Sequence, residues 1–130
     1  MNTDLIKFNF TNGFVGEFIS PTGTVKIGQQ PDGVAPYHLL YGALGSCFYA
    51  TFLGVVKKMQ LTFDRAEMSI VGNKRTTVPT TLDLVQMELT VFGASDQKKI
   101  EKAAELGAKY CSIHETIAQV APIEFVVKFQ

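Results

Sequence analysis

Ile6, Phe8 and Phe10 alternate with Lys7 and Asn9, the two-residue period of a half-buried strand, and Asn12-Gly13 just beyond is a hairpin turn signal. Phe14 to Ile19 forms the return strand, and "SPTG" turns the chain again into Thr24 to Ile27, so the pattern predicts a three-stranded meander. "GQQPDGVAP" then reads as loop. Pro36 suits the first turn of a helix, where its missing amide would have no partner, and the helix is predicted from there to near Met59. Its apolar positions cover every side instead of one stripe, the pattern of a helix buried centrally. Its first charges, Lys57 and Lys58, stand at the C-terminal end, where cations meet the helix dipole favourably.

Period-two alternation returns with Ala66, Met68 and Ile70, and again with Val85, Met87, Leu89 and Val91, predicting two more strands joined by the polar loop "GNKRTTVPTT". From Asp96 to Leu106 the spacing of Ile100, Ala103 and Ala104 predicts a helix with a charged outer face, interrupted at Gly107. Ser112 with Glu115 three residues on is the capping-box pattern, so a second helix is predicted there with Cys111 immediately before it. Ile123, Phe125, Val127 and Phe129 close the chain as a strand. The order of three strands, a helix, two strands, two helices and a strand is an α+β arrangement. One small sheet can cover only one side of a helix that is apolar all round, so a second copy of the chain is expected to cover the rest.

A chain of 130 residues is the size of one domain, and 46% hydrophobic with 18% charged residues is the composition of a folded protein. Twelve basic side chains balance twelve acidic ones, leaving no net field to draw the protein to nucleic acid or to an anionic membrane surface. The N-terminus lacks the basic and apolar regions of a secretory signal, so the expected location is the cytosol, where two cysteines are more often free, catalytic or metal-bound than a structural staple.

Leu39 to Val56 runs without a charge and meets the lower length limit of a membrane span. Glycine, serine and threonine throughout the stretch, and amphipathic strands on either side of it, favour a helix within a soluble core. Gly42, Ser46, Ala50 and Gly54 recur every four residues and would let another backbone approach closely, with Ala43, Cys47 and Thr51 on the flank of that groove. A cysteine there can simply be a small buried residue. Cys111, beside a helix N-terminus, sits where exposed amides favour thiolate, the local condition of a reactive cysteine. Two such thiols could form a peroxidatic and resolving pair, a sulfenic acid on one condensing with the other. His114 and Glu115, with Cys47 and His38, lack the ligand spacing of a metal site.

"APYHLLYGALGSCFYA" and, some sixty residues on, "AAELGAKYCSIHETI" resemble the OsmC and organic hydroperoxide resistance superfamily, and the order of elements agrees over nearly the whole chain. The resemblance implies an intertwined homodimer with two long central helices wrapped by antiparallel sheet, and active sites at the subunit interface. It implies reduction of organic hydroperoxides without a bound cofactor, Cys47 as the attacking thiolate, Cys111 as the resolving thiol, and a dithiol or lipoyl-type compound as the external reductant. Tyr41, Phe48, Phe52 and the N-terminal phenylalanines would suit a fatty or aromatic alkyl group.

The chain departs from that family at two positions. Tyr37 stands where a carboxylate is expected ten residues before the first cysteine, and a tyrosine offers a hydrogen bond but no negative charge. Lys26 is the nearest counterpart of an arginine expected ahead of the helix, and an ammonium lacks the planar fork of guanidinium. His38 adds a titratable group beside Tyr37. These three are the weaker candidate site residues. The alternative reading is a dimeric binding module with an apolar interface pocket for a small lipid-like or electrophilic ligand; a third is a structural dimer with inert thiols.

Overall fold

The predicted meander forms as β1 (Lys7–Phe10), β2 (Val15–Ser20) and β3 (Gly23–Gly28), antiparallel with β2 in the middle. Its register sets Phe8 opposite Phe18, Phe18 opposite Val25 and Gly16 opposite Ile27 on one face, and Asn9, Glu17 and Lys26 in a row on the other. This two-residue alternation is the amphipathic pattern read from the sequence. At the last residue of β3 the backbone of Gly28 takes φ 90°, and a Cβ there would collide with the Phe14 carbonyl, so glycine is required at this turn.

The computed structural model describes residues 1–130, which divide into two units, Met1–Leu40 and Tyr41–Gln130. The boundary falls inside α1 (Pro36–Lys58). The second unit continues with β4 (Arg65–Lys74), β5 (Leu82–Phe92), α2 (Gln97–Tyr110), α3 (Ser112–Ala118) and β6 (Ile123–Phe129). The α+β order expected from the pattern is the order observed.

The antiparallel expectation fails at one place. β4 and β5 are antiparallel, but β6 lies parallel to β5, with Val85 opposite Ile123 and Leu89 opposite Val127. Two helices lie between β5 and β6; they carry the chain back to the starting end of β5, and a crossover of that length permits parallel pairing. Alternation alone reports which face a residue takes and is silent on strand direction.

Val85, Met87, Leu89 and Val91 of β5 are buried, as are Leu44, Phe48, Phe52 and Val56 of α1. The four helical residues are spaced by four, so they form one stripe. Phe48 stacks on Phe52 at 5.8 Å between ring centroids and meets Phe125 of β6 edge-on at 4.9 Å. Within one chain α1 is covered on one side, as expected for a single small sheet: Leu53 is 41% exposed, and no neighbouring atom lies within 4 Å of where a Cβ on Gly42 or Gly54 would stand. α1 is long and apolar enough to cross a membrane by length and composition, but its buried stripe is spent on contacts with the protein's own aromatic residues.

α2 also differs from expectation. It continues through Gly107 to Tyr110, because Gly107 is a packing point and not a break. A Cβ on Gly107 would lie 3.1 Å from the Phe52 Cα and 3.2 Å from its backbone N, so the missing side chain lets α2 press directly on the backbone of α1. A glycine inside a helix costs about 1 kcal/mol relative to alanine. Gly107→Ala is expected to lower stability by about 1–3 kcal/mol despite alanine's better propensity, through overpacking of that contact. Chemical denaturation with an unchanged m-value would measure this loss; a stabilised variant would mean the two helices separate freely.

Candidate active site

α2 and α3 are separated by a single residue, Cys111, whose extended backbone (φ −76°, ψ 117°) ends one helix and caps the next. The expected capping box is not formed. Cys111 itself is the N-cap, its sulfur accepting from the His114 N–H at 3.4 Å. The Glu115 N–H donates to the Cys111 carbonyl at 3.0 Å, and the Glu115 carboxylate accepts from the Gln119 side chain at 2.7 Å. The extended turn of Cys111 moves the helix start one residue ahead of the pattern, so Ser112 is the first helical residue and not the cap.

Cys47, half-buried on α1, faces this junction. The Ile113 N–H acts on its sulfur most strongly and lowers its pKa below the ordinary thiol value; partial burial opposes it; the Cys111 thiol, the Ser112 hydroxyl and the Ser112 N–H add to the lowering. These donors favour the anionic sulfur. Cys111 is 1% exposed, and burial raises its pKa, against the His114 and Ile113 N–H groups that lower it; the neighbouring Cys47 raises it further. The sequence had suggested that the helix start would favour thiolate at Cys111. The amides of that start do act there, but burial outweighs them, and it is the partly exposed sulfur across the gap that they favour as an anion. No disulfide joins the two cysteines. The fold thus brings together one thiol disposed to ionise and one disposed to stay protonated.

His114, on the same first turn, is half-buried, and burial lowers its pKa against the opposing charge of Glu115. Its role here is the backbone N–H given to Cys111.

The weaker candidates lie in the first unit. Lys26 projects from the polar face of the meander, paired in register with Glu17, and with Asn9, Glu17 and Gln30 it lines an open depression of about 360 Å³. Tyr37 is half-buried in the first turn of α1. His38 plays a structural part, since its Nδ1 accepts from the Ala35 N–H at 3.0 Å and so closes the start of α1 from the third helical position. That bond places the proton of a neutral imidazole on Nε2. Both arginines are engaged elsewhere: Arg65 pairs with Glu67 at 2.7 Å and lies 3.8 Å over the Phe92 ring, while Arg75 donates to the Pro79 carbonyl at 2.8 Å.

Sequence reading missed Ser112 and Ile113 as partners of Cys47. The available signal was their position directly after a cysteine at a predicted helix start; it could not say which thiol their donors would reach.

An α+β fold with a long central helix and two facing thiols defines a dithiol protein. The chain belongs to the family of OsmC-like proteins, whose family model matches residues 28–126. Among solved structures it resembles a protein of Aquifex aeolicus VF5 (TM-score 0.90, 18% identity, 100% of this chain and 98% of that one). It also resembles an OsmC-like protein of Mycoplasma pneumoniae (0.87, 18%, 98% and 97%) and an organic hydroperoxide resistance protein of Legionella pneumophila (0.76, 13%, 98% and 98%). At these identities the likeness establishes the fold. No curated protein matches the chain.

Proposed function

We propose that the protein reduces organic hydroperoxides with Cys47 as the attacking thiolate and Cys111 as the resolving thiol. The observation that carries this reading is the meeting of the two thiols at the junction of α2 and α3, with donors that favour Cys47 as the anion and burial that disfavours it at Cys111. A nucleophile must be ionised to attack, and a resolving thiol is better kept protonated until its partner is oxidised. The Cys47 thiolate attacks the distal peroxide oxygen; the O–O bond breaks, the alkoxide takes a proton and leaves as alcohol, and Cys47 becomes a sulfenic acid. The Cys111 sulfur displaces hydroxide from that sulfenic sulfur, releasing water and forming a Cys47–Cys111 disulfide. An external dithiol or lipoyl-type reductant then supplies two electrons and two protons. No bound cofactor enters the cycle.

The exposed Gly42 and Gly54 and the 41% exposed Leu53 support a homodimer in which a second α1 covers the side of the helix left open in one chain. A second reading, an apolar binding module, draws on Phe8, Phe10 and Phe14, which are 45–51% exposed, with successive rings 5.9 and 6.4 Å apart. The two readings separate on one experiment. Treatment of the reduced protein with stoichiometric cumene hydroperoxide is expected to yield the Cys47–Cys111 disulfide within one chain, read by peptide mass mapping, with one cumyl alcohol released per disulfide. Persisting free thiols would reject the peroxidase and leave the binding module.

A further inference from the structure

The two cysteines differ in how far solvent reaches them. Cys111 is 1% exposed, whereas Cys47 is half-buried on α1. Cys111 is also held from both sides. Its extended backbone ends α2 and starts α3, its carbonyl accepts from the Glu115 N–H at 3.0 Å, and its sulfur caps α3 by accepting from the His114 N–H at 3.4 Å. Ala104 and Ala108 of α2 and Ile117 of α3 are buried with it, so the inner side of the junction is packed protein. Of the two residues, it is Cys47 that solvent reaches.

We infer that the external dithiol opens the Cys47–Cys111 disulfide by attack at the Cys47 sulfur, with Cys111 as the leaving group. The inference rests on the reading of the two cysteines as a peroxidatic and resolving pair, and it assigns the step that resets that pair. Thiol–disulfide exchange is an in-line displacement, so the incoming sulfur approaches the attacked sulfur from the side opposite the one that leaves. A thiolate arriving from solvent meets Cys47 with Cys111 behind it; to attack Cys111 it would have to come through the buried junction. Leaving-group chemistry by itself favours the other choice, because burial makes Cys111 the less stable thiolate. A nucleophile that cannot come into line gains nothing from a better leaving group, so access decides. The first turn of α3 lessens the penalty, since the His114 N–H that binds the Cys111 sulfur in the reduced protein receives it again as it leaves. In the first exchange the reductant sulfur bonds to Cys47, the protein S–S bond breaks, and Cys111 takes the electron pair and then a proton. In the second, the reductant's other thiolate attacks its own bound sulfur, releasing Cys47 as thiolate and leaving the reductant as a disulfide.

The test starts from the full chain oxidised with diamide, so that no peroxide chemistry enters. The oxidised protein is mixed with reduced glutathione, a monothiol that leaves a mixed disulfide on whichever sulfur it attacks. Samples quenched with acid at early times are blocked with N-ethylmaleimide and mapped by peptide mass. Glutathione is expected on Cys47 and N-ethylmaleimide on Cys111, with the reverse adduct rarer by about tenfold or more. In urea above the unfolding midpoint, where both sulfurs are open, the two adducts are expected in near-equal amounts. Glutathione found mainly on Cys111, or equally on both, in the folded protein overturns the inference and leaves the peroxidase reading in place. A preference for Cys47 that persists undiminished in urea also overturns it, since access would then not be the cause. Failure of diamide to join the two cysteines within one chain overturns both. A protein that opens at Cys47 but forms no disulfide with cumene hydroperoxide keeps the inference and loses the peroxidase reading.

Discussion

Cys47→Ser is expected to abolish consumption of cumene hydroperoxide in the presence of a dithiol, by about a thousandfold or more, because a serine hydroxyl at neutral pH is neither ionised nor a competent attacker of peroxide oxygen. The near-isosteric change leaves the half-buried site filled, so the unfolding midpoint should barely move. Cys111→Ser separates the two roles: it should still undergo one turnover, stopping at a sulfenic acid on Cys47 that a dimedone probe traps. Equal retention of activity by Cys47→Ser would remove Cys47 as the nucleophile. Stoichiometric turnover by Cys47→Ser but not by Cys111→Ser would exchange the two assignments.

Phe48→Ala is expected to be the most damaging single core substitution in the second unit. Phe48 is 0% exposed and holds Phe52 and Phe125 by ring contacts, so truncation removes apolar burial and leaves a cavity between α1 and β6. Such changes cost about 3–5 kcal/mol, a large part of the roughly 5–15 kcal/mol by which domains are stable. Phe48→Leu, which retains much of the volume, should lose less. Urea denaturation at fixed protein concentration measures both, the fixed concentration being needed because dimer formation would add to apparent stability. A loss below about 1 kcal/mol for Phe48→Ala would mean that the helix relaxes onto the sheet and that this contact does not organise the core.

Much of the fold was legible from local pattern. Ile6, Phe8 and Phe10, the turn at Asn12-Gly13, Pro36 at the start of α1 and the alternation from Val85 to Val91 each place an element close to where it stands. Gly107 was misread because its helix-breaking tendency is a local property, whereas its benefit is the approach of Phe52, more than fifty residues away in the chain. The direction of β6 was hidden for a related reason, since a strand's alternation is the same read in either direction.

The two cysteines were visible as candidates, and the resemblance to OsmC-like proteins supplied their order of action. His38 and Ser112 stand in hydrogen-bond arrangements that the local pattern does not give. His38, offered as a titratable site group, spends Nδ1 on the Ala35 N–H, while Ser112, read as a helix cap, leaves that place to Cys111, whose sulfur accepts from the His114 N–H. Both arrangements are a matter of hydrogen bonding, where a polar side chain has several partners within reach and only the final geometry selects one.

By itself the sequence determined the element order, the inward faces of the strands, the extent of α1 and the presence of two thiols in helical surroundings, because these follow from periodicity and residue chemistry close along the chain. The tertiary structure alone decided which thiol the α3 amides favour as an anion, and which one burial keeps toward the protonated form. Cys111 caps the helix whose N–H groups most lower the pKa of Cys47, an outcome that required residues sixty-four positions apart to meet across the packing of α1 against α2 and α3.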